Sequence, residues 1–153
     1  MRLVLFVLYI LFLLKVIVFK YPIEQLQDIA NGWQSEIVAE GLLTANYTPF
    51  QTIGLYIKYY DMPGIHGFAN LYGNILVFIP FGLLLAYNHP SSRNMWVLLL
   101  NSFLFVGGIE VFQLVSSFGV FDVDDIILNC TGALLGGLLY KFCASGSEKY
   151  RKD

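Results

Sequence analysis

The sequence predicts an all-α integral membrane protein: a four-helix transmembrane bundle with an interfacial amphipathic helical segment between spans 1 and 2. Three observations predict it. The 153 residues are 57% hydrophobic and only 13% charged, about half the charged fraction of a soluble domain. The apolar residues gather in four runs, at 3–20, 71–87, 95–116 and 124–142, each close to the roughly 20 residues that a bilayer crossing needs. With four crossings, the basic residues at the chain ends and in the second turn fall on one side. The length leaves no room for another domain of ordinary size, so residues 1–153 read as a single transmembrane domain.

The first run, LVLFVLYILFLLKVIVF, follows Arg2. It continues past Lys15 with no small-residue cleavage site, so a retained span is expected and not a secretory signal. Lys15 has two readings. Its ammonium reaches the interface beside Lys20, or it pairs with a buried carboxylate.

Residues 21–70 form a long acidic connection, with Glu24, Asp28, Glu36, Glu40 and Asp61 against Lys58. Its first part has mixed periodicity around Gly32 and predicts one or two short helices. Pro49 and Phe50 then mark a helix start, since proline is tolerated in a first turn. Ile53, Tyr56, Ile57 and Tyr60 recur at helical spacing, which suits an amphipathic segment with tyrosines at headgroup depth. Asn46-Tyr47-Thr48 matches a glycosylation sequon, a frequent chance match. His66 reads as a surface histidine.

The second span contains Pro80 and Gly82, which membrane helices tolerate when neighbours satisfy the freed carbonyl. Residues 88–94 are a polar turn, 116–121 a tight loop, and 143–153 a charged, frayed tail. Cys130 and Cys143 are 13 positions apart. On one helix that is roughly 20 Å, too far for a disulfide, so both read as apolar filler. Arg2, Arg93 and the group Lys141, Lys149, Arg151 and Lys152 share one side of this topology. The positive-inside rule makes that side cytoplasmic, giving a multi-pass cell-membrane protein with both termini inside. The net charge of −2 and the lack of a basic patch exclude a nucleic-acid partner.

In this topology the costly polar groups gather near the outer ends of the last three spans. They are Asn74, then Glu110 and Gln113, then Asp122, Asp124, Asp125 and Asn129. Glu110 and Asn129 come out roughly 8–9 Å below the outer ends of their helices. Asp125, Asn129, Gly132 and Gly136 follow an i, i+4, i+7, i+11 pattern on one face. Gly132 and Gly136 make a small-xxx-small surface that admits a close helix neighbour or a second copy of the chain.

The amides have an ordinary structural reading, as hydrogen bonds between helices. Asp122 and Asp124 have one as solvated residues at a helix N-terminus. Asp125 is the aspartate expected to point inward. Glu110 should be protonated, paired with Lys15, or facing water. Two functional readings fit an outward acidic cluster: a pocket that captures an envelope lipid or envelope-active compound, and a hydrolase or transferase whose aspartates hold a divalent cation. No nucleophile-and-base pair, Gly-rich phosphate loop or His-x-x-x-His is present, and no histidine adjoins the carboxylates. The balance therefore leans away from an enzyme, with no cofactor expected and the divalent cation kept as the alternative.

The segments GNILVFIPFGLLL at 73–85 and IEVFQLVSSFGVFDVDDIILNCTGALLG at 109–136 resemble the VanZ-like family of bacterial membrane proteins. NYTPFQTI at 46–53 resembles the family's Asn-x-x-Pro-Phe element. The matching positions are Asn74, Phe78, Pro80, Phe81, Gly82, Glu110, Gln113, Asp122, Asp125, Asn129 and Gly132, over roughly the last two-thirds of the chain. One departure stands out: the family commonly has arginine where this chain has Gly119, so a fixed cation at that point is missing. The resemblance implies a physiological setting and no reaction. The family's namesake is an accessory protein in glycopeptide resistance that lowers susceptibility to teicoplanin. Implied partners are the lipid bilayer, an envelope lipid or a glycopeptide antibiotic. The alternative is a metal-dependent membrane enzyme acting on a lipid-linked phosphate or headgroup.

Overall fold

The computed structural model describes residues 2–19, 21–59 and 67–149. Their regular elements are helical: α1 (Arg2–Ile17), α2 (Ile23–Asn31), α3 (Ser35–Thr44), α4 (Gln51–Lys58), α5 (Gly67–Asn88), a 3-10 turn (Pro90–Arg93), α6 (Met95–Ser116) and α7 (Val123–Lys149). One parallel bridge, between Asn46 and Asp122, is the β-type pairing among the described residues. Stretches of α5, α6 and α7 are long and apolar enough to cross a membrane, at Asn70–Asn88, Met95–Ser116 and Val123–Ser145. At 16 residues, α1 is shorter than the expected 3–20 run.

The observed bounds differ from the expected ones in three places. Helix α5 begins at Gly67, four residues before 71. Helix α7 runs on to Lys149 through the stretch read as a frayed tail, because FCASGSEK contains no proline to stop it. Helix α4 starts at Gln51 and not at Pro49, because Phe50 takes a left-handed conformation (φ 66°) that breaks the helix before it. Tyr60 and His66 lie outside the described residues.

The four long helices run side by side in alternating directions. The Arg2 guanidinium lies 4.7 Å over the Tyr87 ring. The Phe6 and Phe81 rings are 6.1 Å apart, and the Tyr9 hydroxyl donates to the Val77 carbonyl at 2.6 Å. As α1 ascends, its α5 neighbours descend, so the two are antiparallel. Asn74 meets Asp125 and Tyr87 meets Tyr140, so α5 and α7 are parallel. Leu98 packs on Gly137 and Glu110 reaches Asp122, so α6 is antiparallel to α7.

Glycine sets the distance between α5 and α7. A Cβ on Gly132 would sit 2.2 Å from the Ile75 carbonyl oxygen, and one on Gly136 would sit 2.0 Å from that of Ile79. From the other side, a Cβ on Gly82 would fall 1.9 Å from the Ala133 carbonyl oxygen. The backbones are in contact, an approach that only residues without a side chain allow. The face read as small-xxx-small is therefore filled by α5 of the same chain.

Phe78, Phe81, Leu85, Leu98, Val106, Ile126 and Ala133 form the core, with Phe6 and Leu13 of α1. Phe81 and Phe105 stack at 4.9 Å. Outside this core the helices present Leu, Val and Phe outward, among them Leu8, Phe12, Leu76, Phe103, Leu104, Val115, Leu138 and Phe142. Glu110, Gln113, Asp124 and Asn129 are buried. An apolar exterior around buried polar groups suits a lipid surround.

Candidate functional site

The acidic stretch before α7 binds the long connection to the bundle. Asp122 directly precedes α7, and its Oδ1 accepts the Asp124 N–H at 2.8 Å, an N-cap bond. The same carboxylate accepts the Asn46 amide at 2.7 Å and the Thr52 hydroxyl at 2.6 Å. Backbone bonds reinforce this: Asn46 N–H donates to the Phe121 carbonyl at 2.9 Å, and Val123 N–H to the Asn46 carbonyl at 3.0 Å. Asp124 is fully buried. It accepts the backbone N–H of Phe50 and, at 3.1 Å, that of Ile53. These are the first-turn donors of α4, so a carboxylate on α7 caps another helix. Of the two readings of Asp124, the solvated one does not hold. The Asn46 side chain of the sequon is likewise committed within the fold.

Glu110 is also buried, and its Oε2 accepts the Asp122 N–H at 3.0 Å. This bond ties α6 to the start of α7. Lys15 is exposed and sends its ammonium to the Phe19 carbonyl at 3.0 Å, which accounts for it without a buried carboxylate. Gln113 Nε2 donates to the Ile17 carbonyl at 3.2 Å, joining α6 to the end of α1. A Cβ at Gly119 would come within 2.9 Å of the Gln113 amide, so Gln113 fills the space that a side chain there would enter.

Asp125 points elsewhere, toward α5. Its Oδ1 accepts the Asn74 amide at 2.7 Å. Both line a cavity of about 320 Å³ together with Val16, Ile17, Tyr56, Asn70, Gly73, Val77 and Gln113. Five elements contribute: the end of α1, α4, the start of α5, the end of α6 and the start of α7. Asn70 Nδ2 donates to the Tyr56 hydroxyl at 3.1 Å across the rim. Asn129 lies one turn below Asp125 and is buried, with no hydrogen-bond partner for its Oδ1.

Of the seven residues read as an outward cluster, the fold separates two groups. Glu110, Asp122 and Asp124 hold the connection and the helix ends. Asn74, Gln113 and Asp125 line the cavity, with Asn129 beneath. Sequence reasoning missed Asn46, Thr52, Tyr56 and Asn70 as members of this end. The available signal was stoichiometric: buried aspartates need donors, and the nearest polar loop, NYTPFQT, carries them. The donor set does not fit a divalent cation. The Asp122 and Asp124 oxygens are turned to N–H and O–H donors, and no group of three or more His, Cys, Asp or Glu that could hold a metal occurs among the described residues.

These features define a class: a helical protein with three helices long and apolar enough to cross a membrane, whose buried polar groups collect at one end around a small cavity. Residues 6–144 match the model of the VanZ/LLP1 family, and the chain belongs to that family. A relative, Protein VanZ of Enterococcus faecium, is 33% identical over 99 residues, covering 62% of this chain and 51% of its own. The chain thus spans about half the length of the curated relative it matches. No solved structure matches it.

Proposed function

We propose that this chain is a four-span membrane protein with both termini in the cytoplasm, acting at the outer leaflet as an accessory factor in resistance to glycopeptide or other cell-envelope antibiotics. Its working part is the cavity of Asn74, Gln113 and Asp125. The observation that carries the reading is the meeting of five elements at this polar cavity in a member of the VanZ/LLP1 family. A cavity with a few convergent polar groups is the default place for binding.

The fourth span is α1. It lies antiparallel along α5 from Arg2 at Tyr87 to Ile17 near Gly73, so it covers the same depth as a crossing helix. Backbone bonds from Val18 and Phe19 to Leu14 extend it by part of a turn. Charge supports the orientation. Arg2 and Arg93 sit over Tyr87 and Tyr140 at one end, and Glu110, Asp122, Asp124 and Asp125 gather at the other.

The test is complementation. A strain lacking the gene receives wild type or Asp125→Asn and is tested against envelope-active antibiotics. Wild type raises tolerance to at least one compound and Asp125→Asn does not, at equal protein level. No change across the panel with wild type would remove the resistance role.

A further inference from the structure

A groove of about 530 Å³ runs along the outside of the bundle between α6 and α7. Trp96, Leu100 and Phe103 of α6 wall one side, and Val123, Ile127 and Cys130 of α7 wall the other. Each trio shares one face of its helix. Both helices are long and apolar enough to cross a membrane, so in a bilayer this groove faces acyl chains. Its α6 wall starts in the first turn, at Trp96, and reaches Phe103 about 10 Å further along. Positive charge stands at the Trp96 end. Arg93 lies three positions before Trp96, and its guanidinium is 5.5 Å over the Tyr140 ring. It therefore bridges the start of α6 to the second half of α7. Lys141 follows Tyr140 and lies 18 residues past Val123. That is roughly five helical turns, which returns Lys141 to the groove face of α7. Arg93 and Lys141 are both exposed, and neither meets a carboxylate among the described residues.

We propose that the α6–α7 groove holds one anionic phospholipid, with its phosphate between Arg93 and Lys141 and an acyl chain along Trp96, Leu100 and Phe103. Charge selects the occupant. Any acyl chain satisfies the apolar walls, but two cations without a carboxylate partner at the mouth favour a headgroup of net negative charge. A zwitterionic lipid carries its own cation, which offsets that attraction. Arginine takes phosphate oxygens through parallel N–H bonds, and lysine adds a mobile point charge. The Tyr140 ring holds the guanidinium in place beforehand. This site lies at the opposite end of the bundle from Asp125 and does not depend on the function proposed for the cavity there.

Full-length protein in detergent is mixed with equal amounts of phosphatidylglycerol and phosphatidylcholine of the same acyl chains, and bound lipid is read by native mass spectrometry. Wild type should retain one phosphatidylglycerol about tenfold better than phosphatidylcholine. Arg93→Gln and Lys141→Gln should each cut that preference severalfold. Leu100→Trp fills the groove from an exposed position and should lower retention of both lipids. Lys58→Gln makes the same charge change at the end of α4 and should leave the preference intact. An equal loss in Lys58→Gln would mean that net charge alone attracts the lipid, and the site would fall. Equal retention of the two lipids by wild type overturns the proposal with no variant needed. So does a dimer that retains no lipid, since a second copy of the chain would then fill the groove. Excess glycerol phosphate should not displace the bound lipid; displacement would mean that the cations hold a phosphate without the groove, against the proposal.

Discussion

Asp122 and Asp124 explain why carboxylates stand at the head of a hydrophobic helix. Each accepts hydrogen bonds from residues 46–53, 70 or more positions earlier in the chain. Asp124 does for α4 what a capping side chain usually does for its own helix. Phe50, in the ordinary N-cap position, offers no side-chain acceptor. Asp124→Ala should therefore lower stability by about 2 kcal/mol, within the range of lost caps and charge-assisted bonds. Thermal unfolding in detergent would read this as a shift of several degrees, at about 2–4 °C per kcal/mol. Asp125→Asn should shift it far less, because asparagine still accepts from Asn74. An equal loss in both variants would contradict the division between holding and lining residues. That division was only half legible. Helical phase marked Asp125 as inward, yet it could not reveal that Asp124 is the more buried, because its donors are backbone N–H groups at the start of α4, which leave no side-chain pattern to read.

At the scale of elements, the α5–α7 contact governs packing. Its glycines were readable from spacing, since i, i+4 residues share a face. Which helix fills that face was not, because a small-residue stripe accepts any backbone of suitable shape. The contact makes sharp predictions. Gly132→Ala or Gly136→Ala places a Cβ within 2.2 Å or 2.0 Å of a carbonyl oxygen, so the helices must part. The expected cost is about 1–3 kcal/mol, as for other overpacked sites. At Gly107 a Cβ meets nothing within 4 Å, so Gly107→Ala should be neutral or slightly stabilising through helix propensity. Thermal melts of the three variants side by side check the contrast. Equal melting temperatures would mean that α5 and α7 are not in backbone contact.

For the whole molecule, the topology we propose rests on alternating helix direction and on the placement of charge. It predicts where labels can reach. In a Cys143→Ser background, Tyr47→Cys should react with a membrane-impermeant maleimide in intact cells, and Ser145→Cys only after permeabilisation. Both positions are exposed, and Cys130 is buried and should stay silent. Reversed labelling would overturn the orientation, and labelling of both in intact cells would overturn four crossings.

Sequence alone was enough for the helical class, the membrane character, the glycine face and the gathering of polar residues at one end. Those properties follow from composition, period and rise per residue, which are local or additive along a helix. The acidic head of α7 was legible as a polar cap but not as two devices. Only the tertiary structure decided that Asp122 and Asp124 pin residues 46–53, that Asp125 turns to Asn74, and that the cavity forms among five elements. Hydrogen-bond partners far apart in the chain leave no periodic trace. Their pairing depends on which helix the glycines bring into contact, and that is settled when the bundle closes.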